Sequence, residues 1–179
     1  MSLKIENAIR RENWKKARQL IQSDLRREPN SHWLLSRMAL TYYEEHQYKR
    51  ALTVGLKAYK LQPNCPLVLW DLAGTLGMLG RYREASAIYR RLIRRGVKSI
   101  AFGDCGEGLV WARGLVADCW YRMAGCARQQ RHTAQAVKYF EQHLDLRGPG
   151  CRSIYPLQAV RKELTEILKL KMKQRSRGK

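Results

Sequence analysis

The amino-acid sequence predicts an all-α protein made of repeated helix pairs. The main observation is a period of 34 residues, at which small, aromatic and proline residues recur: Ala17, Ala51 and Ala85; Trp14, Tyr48 and Tyr82; Pro29 and Pro63. A fixed period in this range is typical of repeat proteins, in which each unit buries its apolar face against the next. Few runs alternate apolar and polar residues, which leaves little room for a β-sheet.

The first half of the chain contains three predicted helix pairs. We expect their helices at residues 2–10 and 13–27, 31–46 and 47–61, and 66–79 and 82–95. Asn13 is a suitable N-cap for the second helix, and Asn30 and Ser31 for the third, because these side chains accept hydrogen bonds from free backbone N–H groups. His46 occupies the turn position equivalent to Gly80, where a residue other than Gly fits if φ stays negative.

The period breaks after the third pair. The next match to the pattern lies one period plus 17 residues further on, at Trp120, Ala124, Ala136 and Phe140. We interpret the extra residues, within 97–119, as a loop and then an N-terminal extension of the fourth pair's first helix. Asp104 and Glu107 have the spacing of a capping box for that extension. Alternatively, Gly114 splits the stretch into two helices.

The fourth pair ends with a predicted helix at 133–146, closed by Gly148, Pro149 and Gly150, and one more helix follows. Pro156 suits the first turn of this last helix. Its apolar residues have the spacing of one helical face: Leu157, Val160, Leu164, Ile167 and Leu168. A single amphipathic helix after the last repeat usually covers the exposed end of the stack. The basic residues at 173–179 repel one another, so we expect a frayed tail there.

The composition indicates a folded protein with an unusual charge. The hydrophobic fraction of 45% is ordinary for a folded chain. The net charge of +20 and the pI near 10.2 predict attraction to polyanions. The same charge serves solubility if Lys and Arg coat the outer faces of the helices. The positions of the charged residues distinguish these two interpretations. A contiguous stripe of positive charge favours nucleic-acid binding, and scattered charge favours a role in solubility.

The cysteines and the N-terminal residues predict a cytoplasmic location. The 5 cysteines form no CxxC pair, and free thiols fit a reducing compartment. The first residues carry scattered charges and have no apolar core like that of a signal peptide. No uncharged apolar run approaches the roughly 18 residues that a membrane-spanning helix needs.

The sequence offers no recognisable catalytic or metal chemistry. Cys119 and Cys126 lie on one helical face, but no ligand-spacing signature accompanies them, so we expect them to pack between helices. Cys105 has no His close in sequence to act as its base. The chain has no Gly-rich loop following a strand, no HExxH and no GxSxG. We therefore expect no enzyme, cofactor or metal site. An enzyme that uses the 97–119 insertion stays an alternative, because long irregular segments in compact domains are often functional.

With its order of small, aromatic, Gly, Ala, aromatic and Pro residues, clearest over 31–95, the chain resembles the tetratricopeptide repeat (TPR) family. The resemblance covers about residues 1–146. It implies a right-handed α-α superhelix (TPR solenoid) of about four helix pairs plus a C-terminal capping helix. We expect one domain at 1–172 and a basic tail at 173–179, with repeats at about 1–30, 31–64, 65–98 and 104–148 and the capping helix at 156–172.

The resemblance also implies a binding surface. In TPR proteins the first helix of each pair lines a concave groove that receives a peptide. By register, the groove residues here are Trp33, Arg37, Leu40, Trp70, Asp71, Tyr121, Arg122 and Arg128, with Gly74 and Gly125 beside them. Aromatic and arginine side chains often anchor interfaces, although Leu40 and Trp70 also fit a role in the core. The Lys and Asn with which one TPR subclass clamps chaperone tails are absent, which argues against that ligand.

Two functional hypotheses result. The first is a non-enzymatic scaffold or adaptor that binds a partner protein or peptide in the groove, with arginines favouring an acidic segment. The second is a nucleic-acid (RNA) binding protein that uses the tail and the basic second helices of the pairs, on the convex side. Its binding would weaken steeply with salt, and no RNA-recognition motif supports sequence-specific reading. The cations concerned are Lys15, Lys16, Arg18, Arg26, Arg27, Arg90, Arg91, Arg94 and Arg95.

Overall fold

The computed structural model describes residues 2–148 and 150–177 of the chain. The described part contains ten helices and no strand, which confirms the all-α prediction. The helices are α1 Leu3–Arg10, α2 Trp14–Arg27, α3 His32–Glu44, α4 Tyr48–Leu61, α5 Pro66–Met78, α6 Tyr82–Arg95, α7 Val97–Phe102, α8 Leu109–Gln129, α9 Thr133–Asp145 and α10 Leu157–Arg177. The chain divides into two compact units, unit 1 (Met1–Arg81) and unit 2 (Tyr82–Lys179). The single domain expected at 1–172 stays a prediction.

Unit 1 is built from α1 to α5. Each of these helices packs against the next in the chain, and α3 also packs against α5. The apolar faces meet in a buried cluster formed by Ile5, Ile21, Leu34 and Met38. Ala17 and Ala51, two of the repeat positions, are buried as well. Small side chains at these positions let neighbouring helices approach closely, as the 34-residue pattern predicts.

Two of the three N-cap residues predicted in unit 1, Asn13 and Ser31, are present, whereas Asn30 is not the N-cap of α3. The side chain of Asn13 accepts a hydrogen bond of 3.1 Å from the backbone N–H of Lys16. The Ser31 hydroxyl accepts one of 3.4 Å from the backbone N–H of Leu34. Each cap satisfies one backbone donor that the first turn of its helix leaves without a partner. These local signals explain why α2 and α3 begin within a residue of their expected positions.

Unit 2 contains α6 to α10. Helix α8 packs against α6, α7 and α9, and α10 packs against α9. The core of this unit includes residues from α8, α9 and α10: Ala124, Ala127, Ala136, Val137, Phe140, Val160 and Ile167. The repeat pattern at Trp120–Phe140 and the amphipathic last helix therefore form as predicted. Leu168, which we placed on the same apolar face, is exposed.

The insertion at 97–119 contains more helix than expected. In place of a simple loop, Val97–Phe102 forms the short helix α7. Helix α8 has the predicted N-terminal extension and continues through Gly114, so the chain is not split there. The capping box is wrong, because α8 begins at Leu109 after Gly108 and has no side-chain cap. Gly108 has a φ of +86°, which closes the turn before the helix in a conformation that favours glycine.

The turn inside each of the four helix pairs, α1–α2, α3–α4, α5–α6 and α8–α9, contains a residue in the left-handed region. Glu12, His46, Gly80 and Arg131 have φ values of 55°, 59°, 76° and 60°. The expectation that His46 keeps a negative φ is therefore wrong. A left-handed residue after a helix lets the next N–H groups bond back to the last carbonyl groups, which ends the helix tightly. The backbone N–H of His46, for example, donates a hydrogen bond of 2.9 Å to the carbonyl oxygen of Tyr43.

The C-terminal part is helical further than expected. Helix α10 continues to Arg177, past residue 172 where the capping helix was expected to end. The fraying expected at 173–179 stays a prediction. The rest of the predicted basic tail, Gly178 and Lys179, lies outside the described residues, as does Pro149 in the predicted turn after α9. Among the described helices, none combines the length and the apolar character needed to cross a membrane.

Candidate functional site

In unit 1, a polar array joins the three helices that we identified as first helices, α1, α3 and α5. The guanidinium of Arg37, on α3, lies 3.8 Å from a carboxylate oxygen of Glu6 on α1 and 3.8 Å from one of Asp71 on α5. The hydroxyl of Ser36 donates a hydrogen bond of 2.8 Å to Asp71 Oδ2. Two of the predicted groove residues, Arg37 and Asp71, therefore lie together, as their register implies. Glu6 and Ser36 complete the array and were not among the predicted site residues.

The Arg37 guanidinium is only partly satisfied. Its side chain is 13% exposed, and both of its ion-pair distances exceed the usual length of a hydrogen bond. Its Nε is buried and has no hydrogen-bond partner among the described residues. A buried donor in this state costs free energy. The Nη groups, whose ion pairs are long, can donate a hydrogen bond to an oxygen atom of a bound molecule.

Asp71 is held in a low-polarity environment. Burial raises the pKa of its carboxyl group, and the nearby Arg37 guanidinium and the Ser36 hydroxyl oppose that rise. Burial has the larger effect, which is consistent with a loose Arg37–Asp71 pair. The carboxylate thus fixes Arg37 in place without satisfying all its donors.

Apolar side chains accompany the array. Trp33, Leu40 and Trp70 are all partly exposed. Trp33 also packs against the buried cluster of unit 1, so part of its ring belongs to the core. Gly74 is buried in α5. We call the face formed by Glu6, Trp33, Arg37, Leu40, Trp70 and Asp71 the first-helix surface of unit 1.

In unit 2, the predicted site residues of α8 contact a later part of the same chain. The hydroxyl of Tyr121 donates to Glu163 Oε1 at 2.6 Å, and Arg128 donates to Glu163 Oε2 at 3.0 Å. Burial and the Glu163 carboxylate raise the pKa of Tyr121 to about 12. Two of the predicted groove residues therefore meet one carboxylate of α10.

Residues 150–155, which we call the strap, run across α8 before α10 begins. The ring of Tyr155 stacks on that of Tyr121 with 3.8 Å between centroids, and the Arg122 guanidinium lies 5.6 Å from the Tyr155 centroid. The backbone N–H of Ile154 donates to Asp118 Oδ2 at 3.0 Å. The strap therefore occupies the face of α8 on which Tyr121 and Arg122 were predicted to receive a ligand.

Gly114 is the one sequence feature that could have indicated the strap. A Cβ atom at this position would lie 1.8 Å from the carbonyl oxygen of Arg152, so only glycine allows the strap to approach α8 this closely. The sequence pattern marked Gly114 as a helix breaker and not as a site of close approach. Asp118, a buried carboxylate that holds the strap, was missed because nothing in its local sequence marks it.

The two cysteines on α8 are packing residues, as expected. Cys119 and Cys126 are both buried. Burial raises the pKa of both thiols, and in Cys126 a hydrogen bond from Ser86 opposes the rise. Both side chains are therefore thiols at neutral pH, and thiols are weaker nucleophiles than thiolates.

Formal charge is distributed unequally between first and second helices. In unit 1, α1 carries a net charge of +1, α3 of 0 and α5 of −1, so these three helices are neutral together. The second helices α2, α4 and α6 carry +4 each: five cations and one acid in α2, four cations in α4, and five cations and one acid in α6. In the first three pairs the positive charge is thus concentrated on the second helices. In the fourth pair the order is reversed, since α8 carries +2 (three cations and one acid) and α9 carries −1 (one cation and two acids).

The chain is similar in fold to solved helical structures, among them a TPR domain. Residues 41 to the end of MamA from Desulfovibrio magneticus align with a TM-score of 0.64 at 17% identity, over 80% of this chain and 71% of that one. Another MamA structure aligns with a TM-score of 0.64 at 15% identity, over 98% of both chains. The first TPR domain of human RPAP3 aligns with a TM-score of 0.58 at 16% identity, over 83% of this chain and 98% of that one.

These similarities show that the chain has the tetratricopeptide repeat fold. No family model and no curated protein matches the sequence. The fold is therefore established by structure, and at these identities the relatives indicate nothing about the ligand.

Proposed function

We propose that the protein is a non-enzymatic interaction module whose first-helix surface in unit 1 binds a segment of a partner protein. The partly satisfied guanidinium of Arg37 carries this proposal. Its buried Nε lacks an acceptor, and its ion pairs with Glu6 and Asp71 are long. A peptide carbonyl or carboxylate oxygen would accept a hydrogen bond from the Nη groups, which these long ion pairs leave weakly bonded. The half-buried Trp33 and Trp70 add the aromatic surface that often anchors an interface.

The charge of this surface bears on the kind of segment it binds. Because Glu6 and Asp71 flank Arg37, the carboxylates of the protein already balance the guanidinium. The main-chain carbonyl oxygens of an extended or helical segment need no excess positive charge for binding. We therefore favour a segment recognised by its backbone and its apolar side chains, and the preference for an acidic segment stays a prediction. This function requires no catalytic group, cofactor or metal.

The test begins with a search for the partner. Tagged protein is used to capture binding proteins from a lysate of the source cells, at low and high salt and with nuclease treatment in parallel. The affinity of the purified partner is then measured for the wild type, for Arg37→Gln and for Arg26→Gln, an exposed second-helix control. We expect Arg37→Gln to weaken binding about tenfold and Arg26→Gln to change it less than about twofold.

Thermal unfolding of each variant checks that the loss is not a folding defect. Equal affinities for the wild type and Arg37→Gln would show that the first-helix surface of unit 1 is not where the partner binds. Recovery of nucleic acid alone, released by salt, would favour the second candidate function.

That second candidate is nucleic-acid binding by the basic second helices. The net charge of +4 on each of α2, α4 and α6 favours it. Contacts of Lys and Arg with phosphate groups release counterions, so affinity would fall linearly on a plot of log K against log salt, by about 0.7 per contact for a single strand. A labelled single-stranded RNA titrated at several salt concentrations measures this slope. A slope near zero would exclude this mode of binding, and the role of the C-terminal tail stays a prediction.

A further inference from the structure

Unit 2 contains an open pocket of about 260 Å³ between α6, α9 and the turn from α8 to α9. Helix α6 contributes Arg83, Ser86 and Arg90, which are at positions i, i+3 and i+7 and therefore share one helical face. Gln130 from the turn and Tyr139 from α9 line the opposite side. None of the eight residues that line the pocket is acidic.

The two arginines of the pocket have no counter-charge. Both side chains are exposed, and neither makes a hydrogen bond or an ion pair with another residue in the described part of the chain. Their Cα atoms are two helical turns apart, about 10 Å along the axis. Two free guanidinium groups facing one cavity repel each other weakly, and an anion between them would remove that repulsion and accept hydrogen bonds from both.

Neutral donors complete the lining. Gln135 donates through Nε2 to the Tyr139 hydroxyl at 2.6 Å, so the Tyr139 O–H is directed to a different acceptor. Gln130 donates one N–H to Cys126 O at 3.1 Å and keeps a second. The pocket therefore offers two cationic forks and at least two neutral donors, which suits an oxyanion with several terminal oxygens.

We propose that this pocket binds a phosphate monoester, carried by a phosphorylated side chain of a partner protein. A monoester has three terminal oxygens and a charge close to −2 at neutral pH, which matches two arginines. A phosphodiester in a nucleic-acid backbone has one charge and two such oxygens. The volume is below the roughly 300–1,000 Å³ of pockets for drug-sized ligands, so it holds one phosphorylated side chain and not successive nucleotides. The pocket shares no residue with the first-helix surface of unit 1, so each proposal stands or fails independently.

The test is an NMR titration of ¹⁵N-labelled protein at constant ionic strength. The probes are a short phosphoserine peptide, the same peptide without phosphate, dimethyl phosphate as a diester and inorganic phosphate. We expect saturable shifts at the amides of Ser86, Gln130 and Gln135 with the phosphoserine peptide and with inorganic phosphate. The unphosphorylated peptide and the diester should bind at least about tenfold more weakly.

A pair of double variants separates the pocket from general charge. R83Q/R90Q removes both pocket arginines, and R26Q/R94Q removes two exposed arginines outside the pocket that are equally without contacts in the described chain. Both lower the net charge by two. We expect the first to weaken phosphoserine-peptide binding at least about tenfold and the second less than about twofold.

Three outcomes would overturn the assignment. The first is an equal loss in both double variants, which would show a general effect of charge. The second is a preference for the diester, or for a ten-nucleotide oligouridylate that depends on Arg83 and Arg90, which would assign the pocket to nucleic acid. The third is binding of inorganic phosphate without any gain from phosphorylation of the peptide, which would indicate a site for the free anion.

Discussion

The substitution Gly114→Ala tests the contact between α8 and the strap. Glycine inside a helix is ordinarily unfavourable, so replacing it with alanine stabilises a helix by about 1 kcal/mol. At Gly114 the new Cβ would lie 1.8 Å from the carbonyl oxygen of Arg152. Because that atom belongs to the backbone, the clash cannot be relieved by rotating a side chain. The strap must move away from α8.

The expected loss of stability follows from the contacts that the strap makes with α8. Moving it breaks the hydrogen bond from Ile154 to the buried Asp118 carboxylate and separates the stacked rings of Tyr121 and Tyr155. A hydrogen bond to a charged group contributes about 1.5–3 kcal/mol, and an aromatic pair about 0.5–1.5 kcal/mol. After the gain in helix propensity, we expect Gly114→Ala to lower the free energy of unfolding by about 1–3 kcal/mol.

The control is Gly125→Ala in the same helix. A Cβ at Gly125 would have no neighbouring atom within 4 Å, so this variant should be more stable than the wild type by about 1 kcal/mol. Urea denaturation followed by circular dichroism measures both variants, and hydrogen exchange at the Ile154 amide reports the strap directly. If Gly114→Ala were as stable as Gly125→Ala, with the Ile154 amide still protected, the close approach of the strap to α8 would be refuted.

Two further predictions concern α9 and the turn before it. Burial lowers the pKa of His143, whose Nδ1–H donates to Ala117 O at 2.8 Å while its Nε2 lies 3.3 Å from Arg147. As pH falls below about 6.5 the unfolded state takes up the proton first, so the free energy of unfolding should decrease, and His143→Gln should remove this slope in a pH series of urea denaturations. Arg131 has a φ of +60°, so Arg131→Gly should stabilise the protein by about 0.5–1 kcal/mol, measured in the same way. Arg131→Ala should bring no such gain, and equal stability of the two variants would contradict the assigned strain.

Most of the fold was predictable because its signals are local. The alanines at 17, 51 and 85 mark close helix contacts by their size, and Asn13 and Ser31 mark helix starts by their hydrogen bonds. Helix α7 was missed because six residues are too few to show a helical period. His46 was misjudged because the backbone conformation of a turn depends on how the helices around it pack, which overrides the preference of one side chain.

The candidate site was predictable only in part. Register brought Arg37 and Asp71 together, because residues at equivalent positions of neighbouring repeats face one another. Glu6 could not be chosen in the same way, since α1 is short and matches the repeat pattern poorly. The register placed Tyr121 and Arg128 on a first helix but did not predict their contact with Glu163. That contact was missed because Glu163 is 42 residues from Tyr121 in the sequence. Long-range contacts of this kind leave no periodic trace.

The strap has a consequence for competition at α8. A segment joined to the same chain acts at an effective concentration of the order of millimolar, whereas a separate molecule is present only at its own concentration. Any outside peptide that binds the face of α8 must displace the strap, and its apparent affinity falls by the fraction of time that the face is uncovered. A peptide with an intrinsic Kd of about 1 μM would need roughly millimolar concentrations to compete if the strap lay on α8 in all but one molecule of a thousand. The strap lies this close to α8 because Gly114 has no side chain to displace the carbonyl oxygen of Arg152. This one contact thus helps to determine the ligand concentration that is needed to displace the strap from α8.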